Sequence, residues 1–112
     1  MFFKREKPRV LSFDEQMNEL RGKGYSVESR PQGAFIRRGG FAALARAGAD
    51  GKPELVDTGL ALGNEVAVLT NLGYQMIFMT ESGRKTPALA EHLKELHNFV
   101  EDLREELGLT SL

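Results

Sequence analysis

The chain contains no cysteine, no tryptophan and only two histidines among its 112 residues. Without cysteine there is no disulfide framework, no thiolate nucleophile and no cysteine-ligated zinc site. The two histidines, His92 and His97, are five residues apart in a predicted helix, which separates them by about 140° around the helix axis. They therefore cannot chelate one metal ion together, and we expect neither a metal site nor a cofactor.

Long hydrophobic runs are also missing from the sequence. No stretch approaches the roughly 18 consecutive apolar residues that a transmembrane helix needs. Phe2 and Phe3 are followed at once by charged residues, which differs from the apolar core of a signal peptide. We therefore expect a cytoplasmic protein that does not enter a membrane.

The composition is that of an ordinary globular protein, with 41% hydrophobic and 28% charged residues. Because two separate cores would leave each half too small to bury enough surface, we predict a single α+β domain over residues 1–112. Residues 1–9 are basic, contain Pro8 and show no apolar periodicity, so we expect them to form a mobile leader.

Charge is unevenly distributed along the chain. Residues 1–50 carry ten Lys and Arg against six Asp and Glu, a net charge of +4, whereas residues 51–112 carry five against ten, a net charge of −5. This asymmetry has two interpretations that both stay open. The first half either supplies a basic surface to an acidic partner, or the two halves attract each other within the fold.

Two amphipathic helices are predicted, one near each end of the chain. Ser12 and Glu15 have the spacing of a capping box, which predicts a helix of about ten residues. Thr86 as a cap and Pro87 as the first helical residue predict a long second helix that ends at Gly108. Its apolar stripe, with a heptad rhythm, consists of Leu89, Leu93, Leu96, Val100, Leu103 and Leu107.

The segment between the helices reads as a series of extended runs. The predicted strands cover residues 25–30, 34–38, 41–47, 55–62, 65–70 and 74–80. Gly39-Gly40 is either a bulge within one strand or a boundary between two, so the count is five or six. Asp50-Gly51 predicts a hairpin. The fold class is therefore α+β, an antiparallel meander of five or six strands with both helices packed on one face.

Two of these strands are apolar on both faces, which predicts an interaction surface. If the helices cover only one face of the sheet, something else must cover the other, and a two-fold homodimer is the commonest solution. Two alternatives stay open: a strongly coiled sheet folds over itself, or residues 1–11 lie across the second face. The predicted surface consists of Val66, Val68, Tyr74, Met76, Ile77, Phe78 and Met79.

A basic patch provides a second hypothesis, nucleic-acid binding, with Phe2, Phe3 or Phe35 as an aromatic that could stack on bases. The patch consists of Lys4, Arg5, Arg30, Arg37 and Arg38. A sequence pI near 6.1, an acidic C-terminal helix and the absence of a known nucleic-acid-binding signature count against it.

Enzyme chemistry has little support in the sequence. No Gly-x-Ser-x-Gly motif is present, and Gly83-Arg84-Lys85-Thr86 lacks the spacing of a phosphate-binding loop. We therefore favour a small non-enzymatic protein–protein interaction module, acting as a homodimer, an adaptor or a chaperone. Nucleic-acid binding is the alternative, and a small-ligand carrier or enzyme is the third.

Overall fold

The computed structural model describes residues 12–109 and contains two helices and one sheet. Each strand pairs with the next strand along the chain in an antiparallel direction, so the strands have the same order in the sheet as in the sequence. This confirms an α+β meander flanked by helices, but with seven strands rather than five or six. The elements are α1 (Phe13–Arg21), β1 (Ser26–Arg30), β2 (Gly33–Arg38), β3 (Phe41–Ala47), β4 (Pro53–Leu62), β5 (Glu65–Leu72), β6 (Gln75–Met79), β7 (Lys85–Pro87) and α2 (Ala90–Glu106).

The seventh strand, β7, lies where the sequence predicted the start of the second helix. Thr86 and Pro87 do not cap that helix, because both belong to β7 and pair with β6. The strand-like pairing continues to Ala88, whose N–H donates to the Met76 carbonyl at 3.1 Å. The helix therefore begins at Ala90. A proline φ suits an extended strand as well as a first helical turn, so Pro87 alone could not decide between them.

The predicted turns and caps are confirmed at three places. The Ser12 Oγ accepts from the Glu15 N–H at 3.1 Å, while Glu15 Oε1 accepts from the Ser12 N–H at 2.9 Å, completing the capping box. Gly51 has a φ of +83° between β3 and β4, as the Asp-Gly hairpin requires. After α2, Gly108 has a φ of +73° and ends the helix.

Gly39 and Gly40 settle the open question about β2 and β3. Their φ values of +60° and +88° reverse the chain direction, and Arg38 and Phe41 then pair across the turn. The two runs are therefore separate antiparallel strands, because only residues without a Cβ adopt two such angles in succession at low cost.

The core lies between the two helices and one face of the sheet, which we call the helix face. Small side chains on the central strands, such as Ala43 and Ala45, let the helices approach closely. The largest fully buried side chains are Phe78, Phe99, Leu20, Ile36 and Leu103. Both helices therefore pack on the same face, as predicted.

The apolar stripe of α2 differs from the predicted one. Its buried side chains are those of Leu96, Phe99 and Leu103, whereas Leu89 and Leu93 are 50% and 37% exposed, so the prediction was wrong for these two. Leu89 is the N-cap and lies outside the helix, and Leu93 is rotated by roughly 85° from the centre of the buried stripe.

Two ion pairs join α2 to the first half of the chain. Arg38 Nη2 lies 2.9 Å from Asp102 Oδ2, and Lys23 Nζ lies 2.6 Å from Glu106 Oε1. Each pair combines a basic residue of the first half with an acidic residue of the second. Within residues 12–109 neither helix has the length and apolar character needed to cross a membrane.

Candidate binding surfaces

The face of the sheet opposite the helices is concave. Arg30, at the end of β1, donates from Nη1 to the carbonyl of Asn64 in the β4–β5 turn at 2.6 Å. β2 and β3 lie between β1 and β4 in the sheet, so an arginine can span this distance only if the sheet curls. The curl forms an open groove of about 390 Å³.

The floor of the groove is apolar and its margins are charged. Leu44, Val66, Val68 and Met79 are half-buried along the floor. The charged lining residues are Arg30, Asp57, Glu65 and Glu81. The groove therefore combines an apolar surface with acidic groups on β4, on β5 and after β6.

Arg30 closes one end of the groove. Its guanidinium carbon lies 3.8 Å from the centre of the Phe35 ring, which is favourable for a cation–π contact, and Nη2 lies 2.8 Å from Glu28 Oε1. Phe35 is only 3% exposed beneath it. Its ring therefore has no free face on which a nucleobase could stack.

The carboxylates of the groove differ in their partners. Glu65 accepts from the Ser82 hydroxyl at 2.6 Å and from the Ser82 N–H at 3.3 Å. The hydroxyl hydrogen bond is the main reason why the pKa of Glu65 is lowered, and Arg84 contributes to the same direction. Glu65 is therefore ionised, and both of its carboxylate oxygens already accept hydrogen bonds from Ser82. Asp57 and Glu81 have no hydrogen-bond or ion-pair partner in the described part of the chain.

The structure divides the predicted interaction surface among three places. Phe78 is fully buried on the helix face, so that residue belongs to the core. Ile77 and Met79 lie on the opposite face, where Val66, Val68 and Met79 line the groove, whereas Ile77 is buried at 6% exposure and does not line it. Tyr74 and Met76 are exposed at the tip of the β5–β6 hairpin.

The hairpin tip and the start of α2 together form an exposed apolar end of the molecule. The hydrogen bond from Ala88 to Met76 places the N-cap Leu89 beside the hairpin, and Leu93 lies one helical turn further on. Tyr74 is fully exposed, and the others are between 37% and 50% exposed. The apolar end consists of Tyr74, Met76, Leu89 and Leu93. Leu72 is also exposed, but it pairs with Gln75 on the opposite face of the sheet and does not belong to this surface. The sequence placed Leu89 and Leu93 in the core.

The predicted basic patch is divided between the two faces. Arg38 lies on the helix face, where it donates to the Tyr25 hydroxyl at 2.9 Å and pairs with Asp102. Arg30 and Arg37 lie on the opposite face, both against the ring of Phe35. Successive strand residues point to opposite faces, so Arg37 and Arg38 cannot act together. Lys4 and Arg5 lie outside the described residues.

His92 packs against the core. Its ring lies edge-on to Phe78 with 6.2 Å between the ring centres, and its Nδ1 is buried with no hydrogen-bond partner among residues 12–109. Among residues 12–109 no three His, Asp or Glu side chains are grouped so that they could hold a metal ion.

Each edge of the sheet has a feature that hinders the addition of another strand. On β1 the Val27 carbonyl accepts from Arg21 Nε at 3.3 Å and from Nη2 at 3.1 Å. On β7 the N–H of Ala88 points towards Met76 of β6, so the backbone of the neighbouring Pro87 faces the open edge, where it has no N–H to donate. These features favour docking through side chains over strand addition.

Comparisons of the chain with protein-family models, with curated proteins and with solved structures find no match in any of the three. The groove and the apolar end are therefore the features from which a function can be argued.

Proposed function

We propose that the protein is a non-enzymatic interaction module that forms a two-fold homodimer through the apolar end. One observation carries this proposal. Of the six large apolar side chains that are exposed in residues 12–109, four belong to the apolar end, and only Val56 and Leu72 lie elsewhere. Scattered single apolar residues are normal on a protein surface, whereas a contiguous group is typical of an interaction site.

The apolar end has the area of a small interaction site. Its four side chains expose on the order of 400 Å² per copy, within the range of functional apolar patches on soluble proteins. A pair of copies therefore hides roughly 800 Å² between these side chains, and the residues around them supply the rest of the roughly 1,200 Å² that a specific interface buries. A two-fold axis brings the same patch from both copies together and closes the assembly at two chains.

Side-chain packing is the mode of association that the sheet edges leave available. Strand addition at β1 competes with Arg21 for the Val27 carbonyl, and strand addition at β7 meets Pro87. Tyr74 supplies the large aromatic side chain that is often the main energetic contact of such interfaces.

Light scattering coupled to gel filtration at about 100 μM tests this proposal. The wild-type chain of 12.4 kDa is expected to elute with twice that mass. Leu89→Glu is expected to elute as a monomer, because it places a charge in the apolar contact. Asn98→Glu is the matched control, since it adds the same charge to the flank of α2 that faces Gly39.

Tyr74→Ser provides a second variant that cannot disturb the core, because Tyr74 is fully exposed. It is also expected to be monomeric, with an unchanged circular dichroism spectrum. The proposal is overturned if the wild-type protein is monomeric at this concentration, or if Leu89→Glu and Tyr74→Ser remain dimeric.

A further inference from the structure

We propose that the groove is a second binding site, separate from the apolar end, and that it binds an extended segment of a partner protein. In this segment an apolar side chain and a lysine or arginine project from the same side of the chain. The proposal does not depend on self-association, because the groove lies on the face opposite the helices and the apolar end includes the start of α2.

The apolar half of this specificity comes from the floor of the groove. Leu44, Val68 and Met79 are half-buried and keep part of their surface open to solvent, although the sheet curls around them. Val68 and Met79 are direct cross-strand partners, so their side chains form one continuous surface. Transferring an apolar side chain of the partner from water onto this surface is favourable.

The shape of the groove favours a polypeptide segment over a small molecule. Small-molecule sites bury most of the ligand surface within a concave pocket. This groove is open along its length and extends from Arg30 on β1 to Met79 on β6. An extended chain can lie along it with alternate side chains facing the floor, because successive side chains of an extended segment point to opposite sides.

The preference for a lysine or arginine in the bound segment comes from the groove carboxylates that have no partner in the described part of the chain. Arg30 is already neutralised by Glu28, and Glu65 is held by Ser82 with Arg84 nearby. Asp57, opposite Leu44 in the sheet, and Glu81 remain without a partner in the described part of the chain.

Lys85 lies opposite Met79 in the sheet, and its single positive charge does not balance both carboxylates. The groove thus retains negative charge beside its apolar floor. A basic side chain two residues from an apolar one in an extended segment reaches these carboxylates while the apolar one contacts the floor.

Nuclear magnetic resonance titration of the ¹⁵N-labelled full chain tests this inference. The probe is the peptide acetyl-Lys-Ser-Leu-Ser-Phe-amide, which places lysine, leucine and phenylalanine on one side when extended. On addition of the peptide, the largest changes in the protein's backbone amide shifts are expected at Leu44, Asp57, Val68 and Met79. The same peptide with glutamate in place of lysine is expected to bind at least fivefold more weakly, and added salt is expected to reduce this difference.

Variants of the protein separate the groove from other acidic surfaces. Asp57→Asn is expected to weaken binding of the lysine peptide three- to tenfold, whereas Glu105→Gln, on α2 across the sheet, should leave it unchanged. Leu89→Glu should bind the peptide as the wild-type chain does, whatever its oligomeric state. Failure of the dimer proposal is thereby distinguishable from failure of this one.

Three results would overturn the inference. The first is the absence of shift changes at the groove at millimolar peptide, and the second is equal binding of the lysine and glutamate peptides. The third is that the Asp57→Asn and Glu81→Gln variants both bind the lysine peptide with the affinity of the wild-type chain. The circular dichroism spectrum of each variant verifies that it is folded.

Discussion

Replacing Gly59 with alanine should destabilise the protein by roughly 2–4 kcal/mol, because the added Cβ atom has no room. Gly59 lies on β4 opposite Val68 of β5. A Cβ placed there overlaps the carbonyl oxygen of Ala67 and lies 2.7 Å from its carbonyl carbon, where ordinary contacts begin at 3.4 Å. These are backbone atoms of the neighbouring strand, which cannot rotate away as a side chain can.

The magnitude follows from what must move. β5 has to shift away from β4 by more than half an ångström, which weakens about two ladder hydrogen bonds worth on the order of 1 kcal/mol each. Overpacking of the surrounding side chains adds about 1–2 kcal/mol. For a domain of this size the melting temperature should fall by roughly 10–15 °C.

Urea unfolding followed by circular dichroism measures this loss, and Gly22→Ala is the matched control. Gly22 caps α1 with a φ of −78°, and a Cβ there lies 3.5 Å from the Glu19 carbonyl oxygen, an ordinary contact. Gly22→Ala should therefore be neutral or stabilise the fold by up to about 1 kcal/mol. The prediction is refuted if the free energy of unfolding of Gly59→Ala lies within about 0.5 kcal/mol of the wild-type value, or if the two variants lose equal stability.

Two further predictions concern the core of α2 and the groove. Leu103→Ala, at a fully buried position, should lower the free energy of unfolding by about 3–4 kcal/mol, whereas Leu93→Ala should lower it by less than about 1.5 kcal/mol. Equal losses of the two variants in urea unfolding would contradict the buried stripe. Ser82→Ala should raise the pKa of Glu65 towards its ordinary value, as followed by carbon-detected titration, and an unchanged pKa would refute the role of Ser82. Because the pKa of Glu65 is lowered in the folded state, ionised Glu65 stabilises the fold at pH values above its unfolded-state pKa. This stabilisation is lost as the pH falls through the folded-state pKa. The Ser82→Ala variant should therefore lose less stability on acidification than the wild-type chain.

Local signals in the sequence predicted the parts of the fold that depend on neighbouring residues. The capping box of Ser12 and Glu15, the Asp50-Gly51 turn and the Gly108 stop all act within a few residues, and each is found where the pattern indicated. β7 was missed because three residues ending in proline carry no apolar periodicity. Its extended conformation comes from pairing with β6, a contact that no local pattern contains.

The groove and the apolar end depend on contacts between distant parts of the chain. The curl that forms the groove brings Arg30 within hydrogen-bond distance of Asn64, 34 residues away in the sequence. The apolar end appears because Leu93 lies beside the buried stripe, and periodicity alone ranked it with Leu96. Phe99 was omitted from the predicted stripe because the leucine heptad gave a regular rhythm without it, although its ring packs against Tyr25 and Phe41.

The chain-order meander has a consequence for how the protein is made. Because every strand pairs with its predecessor, the sheet can assemble hairpin by hairpin while the chain is leaving the ribosome. α1 precedes the strands and can cover part of the helix face, but Phe99 and Leu103 of α2 follow all seven strands. The part of the face that α2 covers, which includes Phe78 beneath His92, therefore stays exposed until α2 emerges, and the nascent chain most needs protection from aggregation before that moment.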